Sequence, residues 1–398
     1  MTPPNPPAQP AAVQTAPFGF PLWRLAFRPF YLLAALAAVL MIPLWLARYY
    51  GWLPGLPNVG LYWHAHEMVF GFAIAIVIGF LYTAGRVWTG LPTPRGAALA
   101  ALAALWIGGR LAMLAAPPLV AAMVDSLVIP LAALPLYLVR KRAGNRRNLF
   151  LILLLALLTT ANLAYHCAVL GRIALSPLVP VEAAILVIVL LETIIGARVI
   201  PMFTKNALPG VTPIVHPGRD RISVALVVLA GAGWLLGAPA PLRAALAAAA
   251  ALALLLRLLG WKPFSTWRMP LLWILHLSYA WIVVGLFLLA LAALGVVPAS
   301  AAFHALTVGS MAGLMIGMIT RTALGHTGRA LIAGRAETLM YVLVQVGALI
   351  RVCAALPPPA AHEAALLAAG ACWSAAFLLY LAVYGPYLFR ARIDGKDG

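Results

Sequence analysis

Two stretches of this 398-residue sequence carry side chains able to do chemistry inside otherwise apolar runs. The first, YWHAHEMVFGFAIAIVIGF from Tyr62 to Phe80, sets His64, His66 and Glu67 at the mouth of a run greasy enough to lie in lipid. The second, FHALTVGSMAGLMIGMITRTALGHTGR from Phe303 to Arg329, opens on His304 in the same way. Ionisable groups inside a bilayer are costly and usually have a task or a partner, and neutral imidazole is a good ligand for soft and borderline metals. A shift of 238 residues lays the first stretch on the second, with His66 on His304, Gly71 on Gly309, Gly79 on Gly317 and Thr89 on Thr327. Two imidazoles related in this way in an apolar wall suit the two axial positions of a haem. The expected ligand pair is therefore His66 and His304, each pointing about 140° away from the first glycine of its stripe at roughly 100° per residue. His64 ranks second, because it lies within about 20° of the Gly71, Ala75, Gly79 stripe and so faces a neighbouring helix.

Further candidates stand nearby. His166 and Glu67 are possible metal ligands, although an interfacial histidine is often only a tolerated polar tip and a carboxylate in a first helical turn is favoured by the helix dipole. Met311, with Met315 and Met318, forms a soft stripe below His304, for which packing is the bland reading and contact with copper or a haem edge the sharp one. Glu182, Glu192 and Arg198 lie within one span; Glu192 and Arg198 are six apart, point to opposite faces and each need a partner on another helix. ARVIPMFTKNALPG, and GHTGRALIAGR with His326 and the preceding Arg321, put charge beside Gly and Pro, as tight turns or as a docking face for carboxylates. Cys167, Cys353 and Cys372 are too few and too scattered for a disulfide framework or a CxxC site.

The elements that must position these residues follow from composition. Hydrophobic residues make up 64% of the chain and charged ones 9%, which places it among membrane proteins. Runs of about 20 apolar residues, enough to cross the hydrocarbon layer, recur twelve times, near 28–48, 61–83, 96–115, 118–139, 149–169, 178–200, 222–237, 241–259, 269–294, 301–321, 335–356 and 362–389. The net charge of +18 alternates along the chain: 22 Lys and Arg fall at the termini and even-numbered connections, and 5 (Arg48, Arg110, Arg172, Arg243, Arg351) at the odd-numbered ones. By the positive-inside rule both termini are cytoplasmic. The basic balance is thus a topology signal, and its partner is the bilayer, not nucleic acid. Residues 1–20, proline-rich at their start, read as a disordered cytoplasmic tail, 21–390 as one membrane domain and 391–398 as a second tail.

The 238-residue shift also relates helices 1–4 to helices 9–12, and helix 6 gives a weaker third echo. The fold class expected is all-α and polytopic, with twelve transmembrane helices arranged as three four-helix blocks; a twelve-helix transporter of the major-facilitator type repeats instead after six.

WHAHEMVFGFA, ARVIPMFTKN and HALTVGSMAGLMIGMITRTALGHTGR resemble the signatures of the NnrS family of bacterial membrane proteins, from about Phe27 to the end of helix 12. The resemblance implies an inner-membrane protein that carries haem and copper and is associated with denitrification and nitrosative stress. The sequence departs from the family at Arg86-Val87, where Pro-Asn is common. The plan is also similar to the catalytic subunits of haem-copper oxidases, whose low-spin haem is held from helices 2 and 10, but no histidine stands on helix 6 or 7 here, so that analogy stops before a second catalytic metal. The expected function is a haem- and copper-binding inner-membrane protein of the nitric oxide response, with a redox or electron-transfer role and an electron donor left unnamed. The alternative is a transporter of a small molecule or metal that uses Glu192 and the outer histidines.

Overall fold

The computed structural model describes residues 19–144, 148–356 and 362–396. Among these there are twelve long helices and no strand. They are α1 (Phe27–Tyr49), α2 (Leu61–Thr89), α3 (Ala97–Ala115), α4 (Pro118–Arg142), α5 (Leu149–Val169), α6 (Leu178–Ala207), α7 (Pro217–Leu235), α8 (Ala240–Gly260), α9 (Pro270–Ala293), α10 (Ala299–His326), α11 (Arg335–Cys353) and α12 (His362–Phe389). Eleven are long and apolar enough to cross a membrane; α7 is the other, because it opens on Arg219, Asp220 and Arg221. Helix is the form these runs must take, since hydrocarbon offers no partner to a free N–H or C=O. Proline stands in the first turn of α4, α7, α8 and α9, where its missing N–H costs nothing. Gly90, at φ 68°, ends α2. The chain is a multi-pass membrane protein.

Successive helices pack side by side, and α12 closes against α1. Arg28 at the start of α1 donates to the carbonyls of Leu388 and Arg390 at 2.8 and 2.7 Å, so the chain enters and leaves the bundle at one end. Helices α2, α6 and α10, four apart in order, touch one another in the middle. The tail assigned to residues 1–20 lies, through residue 18, outside the described residues. The second tail folds back onto the bundle: the Ile393 N–H donates to the Thr327 carbonyl at 3.2 Å. Arg392 grips Asp394 at 2.7 Å and holds that carboxyl well below the usual carboxylate range.

Several spans differ from their sequence limits. α6 runs through Pro201 to Ala207 and α10 to His326, so most of ARVIPMFTKNALPG and the start of GHTGRALIAGR are helical and not turns. Pro201 falls near the end of a 30-residue helix, where the carbonyl it leaves unpaired is a small loss against the bonds that continue past it. More consequential, α2 and α10 each contain a π segment, Glu67–Ala73 and Ala305–Ala312. Their first residues are related by the same 238-residue shift that aligns the two stretches in sequence. A π turn widens the helix locally and is common at functional sites. It also breaks the 100° phase on which the sequence directions rest.

The glycine stripes are used unequally. On α10, Gly309 and Gly317 admit side chains of α9: a β-carbon at Gly309 would stand 2.5 Å from ring carbons of Trp281, and one at Gly317 2.9 Å from Leu275. Trp281 cannot retreat easily, since its Nε1 donates to Gln345 Oε1 at 2.8 Å. Gly309→Ala should therefore lower stability by about 1–3 kcal/mol through overpacking, read as an earlier thermal transition in detergent; an unchanged midpoint would show that α9 can yield.

Candidate metal and cofactor sites

At the end of the bundle opposite the termini, helices α1, α2, α6, α10, α11 and α12 enclose a cavity of about 370 Å³. Its wall is apolar for the most part and includes Trp45, Phe72 and Trp373. The exceptions matter more. His64 and His304 both line it, with Met68, Met311, Glu182 and Arg351. His304 Nδ1 donates to the Ser300 carbonyl at 2.6 Å; a carbonyl can only accept, so the proton sits on Nδ1 and Nε2 keeps its lone pair. The His64 ring stacks on Trp45 at 4.1 Å, and its Nδ1 is shut away from solvent with no partner. Arg351 Nη1 is likewise buried without a partner. Two imidazoles and a guanidinium thus line an apolar space within the roughly 300–1,000 Å³ of cofactor pockets.

His66 is not in this cavity. It belongs to a second, fully buried group made by α2, α3, α4 and α5. His66 Nδ1 meets Glu67 Oε1 at 2.9 Å, and its Nε2 meets Asn162 Oδ1 at 2.9 Å and Asp125 Oδ2 at 3.2 Å. Arg110 bridges the two carboxylates, with Nη1 on Glu67 at 2.8 Å and Nη2 on Asp125 Oδ1. His166 Nε2 and Asn162 Nδ2 both reach Asp125 Oδ2, at 2.9 and 2.8 Å. One ligand atom each from His66, Asp125 and His166 lies within 4.8 Å of the others. Gly71 makes room for this group: a β-carbon there would stand 2.9 Å from Arg110 Nη1. Its expected role in close helix packing is thereby replaced by accommodation of a guanidinium.

Of the histidines expected at a haem, His64 and His304 line one cavity and His66 lies outside it. The π segments begin at equivalent positions and so shift His66 and His304 alike; the two differ in what they face, Glu67, Asn162 and Asp125 for His66 and the apolar cavity for His304. Glu67, read as a helix-terminus carboxylate or a ligand, instead has its Oε1 occupied by His66 and Arg110.

The sequence matches the family model described as NnrS protein over residues 21–392. The chain belongs to the NnrS family. No curated protein sequence matches it.

The remaining candidates of this NnrS-family chain scatter. Met311 reaches the cavity, whereas Met315 and Met318 line a separate space of about 90 Å³ beside Glu192. Glu192 Oε2 accepts from Ser310 Oγ at 2.8 Å, and Glu182 Oε2, at the cavity wall, from Trp234 Nε1 at 2.9 Å. Each carboxylate thus meets a neutral donor on another helix, as expected of Glu192. Arg198 donates to Asn148 Oδ1 at 3.0 Å and borders an open groove of about 820 Å³ with Lys205, Arg221 and Arg257 at the termini end. Arg321 lies over the Phe203 ring at 3.8 Å, and His326 packs on Phe27 at 5.5 Å. Neither reaches the cavity or the buried group.

Asp125, Asn162, Arg110 and Arg351 went unread as site residues. Asp125 carried a signal, since it is a carboxylate inside a span and the argument applied to Glu192 covers it equally. Arg110 and Arg351 carried one too: they belong to the five basic residues that the topology rule leaves on the sparse side. Asn162 carried none, because a single amide in a span is cheap.

Proposed function

We propose that the protein binds haem in the apolar cavity, where His64 and His304 would hold it, and serves a redox or electron-transfer role in the nitric oxide and nitrosative stress response at the bacterial inner membrane, both termini facing the cytoplasm. Copper is the second metal of this reading, taken from the family resemblance. The observation that carries it is His304, whose Nδ1 is committed to a backbone carbonyl while Nε2 remains a lone-pair donor at the wall of a cavity that His64 also lines. Holding one ring nitrogen so fixes the tautomer and raises the basicity of the other. Haem bound there supplies a one-electron couple. The residues around it do the rest: Trp45 holds the His64 ring in place, the apolar wall keeps water out, and Arg351 offers a cation to an anionic edge of the ligand.

The test is the visible spectrum of detergent-purified protein, oxidised and dithionite-reduced, made with haem supplied during expression and with iron and copper counted. A Soret band and sharp low-spin reduced bands are expected. A colourless, metal-free preparation would overturn the reading and favour a transporter. Arg351→Leu should keep the spectrum but weaken haem retention by about 1.5–3 kcal/mol, the worth of a hydrogen bond to a charged group; unaltered haem transfer to apomyoglobin would show that Arg351 does not touch the cofactor.

A further inference from the structure

We infer that His66 Nε2, His166 Nε2 and Asp125 Oδ2 are the ligands of a transition-metal ion, held by Glu67 and Arg110 in a site separate from the apolar cavity. The argument begins with what faces His66. Its Nδ1 meets a carboxylate oxygen, and its Nε2 meets two more oxygens, Asn162 Oδ1 and Asp125 Oδ2. The Asn162 amide cannot be turned to give Nε2 a donor, because its Nδ2 already donates to Asp125. Every neighbour of both ring nitrogens is thus an acceptor. Such a ring carries either two protons, or one proton and a metal.

Charge makes the same demand. Glu67 and Asp125 are opposed by the single cation Arg110, which leaves one negative charge in excess in a fully buried group. An uncompensated buried charge is not tolerated at that depth, so the group takes up a cation. Three features favour a metal over a proton. His166 brings a second Nε2 to the same Asp125 oxygen. The ligand atoms are mutually close enough to surround one ion. Each also has its own support: Glu67 fixes the tautomer of His66 with Nε2 outward, in the carboxylate–histidine–metal arrangement, and Arg110 anchors the other oxygen of Asp125. Two imidazoles and a carboxylate, with no sulfur ligand in the set, suit copper(II), iron(II) or zinc and disfavour copper(I). The inference rests on these residues and not on the haem reading, although it offers a place for the copper of that reading.

The experiment is Cu(II) titration of chelator-washed, detergent-purified full-length protein, with bound copper counted and its paramagnetic resonance spectrum recorded. The expected result is one copper per chain with hyperfine coupling to two imidazole nitrogens. Asp125→Asn and His166→Ala should each abolish that signal, Glu67→Gln should weaken binding about 10- to 100-fold, and His304→Ala should leave it unchanged. No copper on the wild-type chain, or wild-type copper and spectrum in both Asp125→Asn and His166→Ala, would overturn the inference and make His66 an imidazolium. If those variants do not fold, X-ray absorption on the wild type decides, since a sulfur shell or fewer than two imidazoles would equally overturn it. A colourless protein that binds copper in this way would sink the haem reading alone, and a haem-bearing protein without the copper signal would sink this one alone.

Discussion

Arg110→Met should leave little folded protein. Without the guanidinium, Glu67 and Asp125 lose the arginine that bridges them, and both are buried. Removing one partner of a buried ion pair costs about 3–5 kcal/mol, against a total stability for most proteins of about 5–15 kcal/mol. The expected readout is a large fall in monodisperse yield and in the thermal midpoint. Adding Asp125→Asn should return part of that loss, because it removes one of the two stranded charges, and such coupling is expected of groups in one network. Arg243→Met is the contrast: that half-buried side chain sits over the Trp234 ring at 5.3 Å, with no carboxylate paired to it among the described residues, and should cost about 1–2 kcal/mol, the worth of a cation–π contact. An Arg110→Met protein as stable as the wild type would mean that the carboxylates of this group are protonated and the network is not ionic.

The second large effect concerns colour. His64→Ala and His304→Ala should each strip most of the haem from protein that still folds, whereas His66→Gln should keep haem per folded chain near the wild-type value. The contrast matters because the 238-residue repeat pairs His66 with His304, and only the local geometry separates them. Full haem in both His64→Ala and His304→Ala would refute ligation in this cavity; loss in His66→Gln with retention in His64→Ala would return the pair to the one the repeat suggests. On the proposed ligation each imidazole would hold the haem by its own bond to iron, so the loss should be steep in either variant.

Much of the architecture was legible because a bilayer imposes it locally. A run of some 20 apolar residues has one viable backbone form there, and the twelve runs became twelve helices whose ends moved by a few residues. The ends moved furthest at α6, from 200 to 207 through Pro201, and at α2, from 83 to 89. Which side chains do chemistry was less legible. His304 and His64 were named and do face one cavity. His66, Glu67 and His166 share the ionisable character of those two, yet belong to another group centred on Asp125.

By itself the sequence determined the class of the protein, its count of helices, the related stretches on α2 and α10, and the small set of ionisable residues at one end of the bundle. These follow from hydropathy and spacing, which each segment carries within itself. Only the tertiary structure decided that those residues form two sites. His66 and His304 are equivalent in the repeat and each precedes a π segment, yet one is enclosed by polar partners from other helices and the other lines a cavity. The ion group, for its part, gathers residues from α2, α3, α4 and α5, up to 100 positions apart in the case of His66 and His166. Their mutual neutralisation exists only once four helices have packed, because buried charges are stabilised by what faces them and not by their neighbours in the chain.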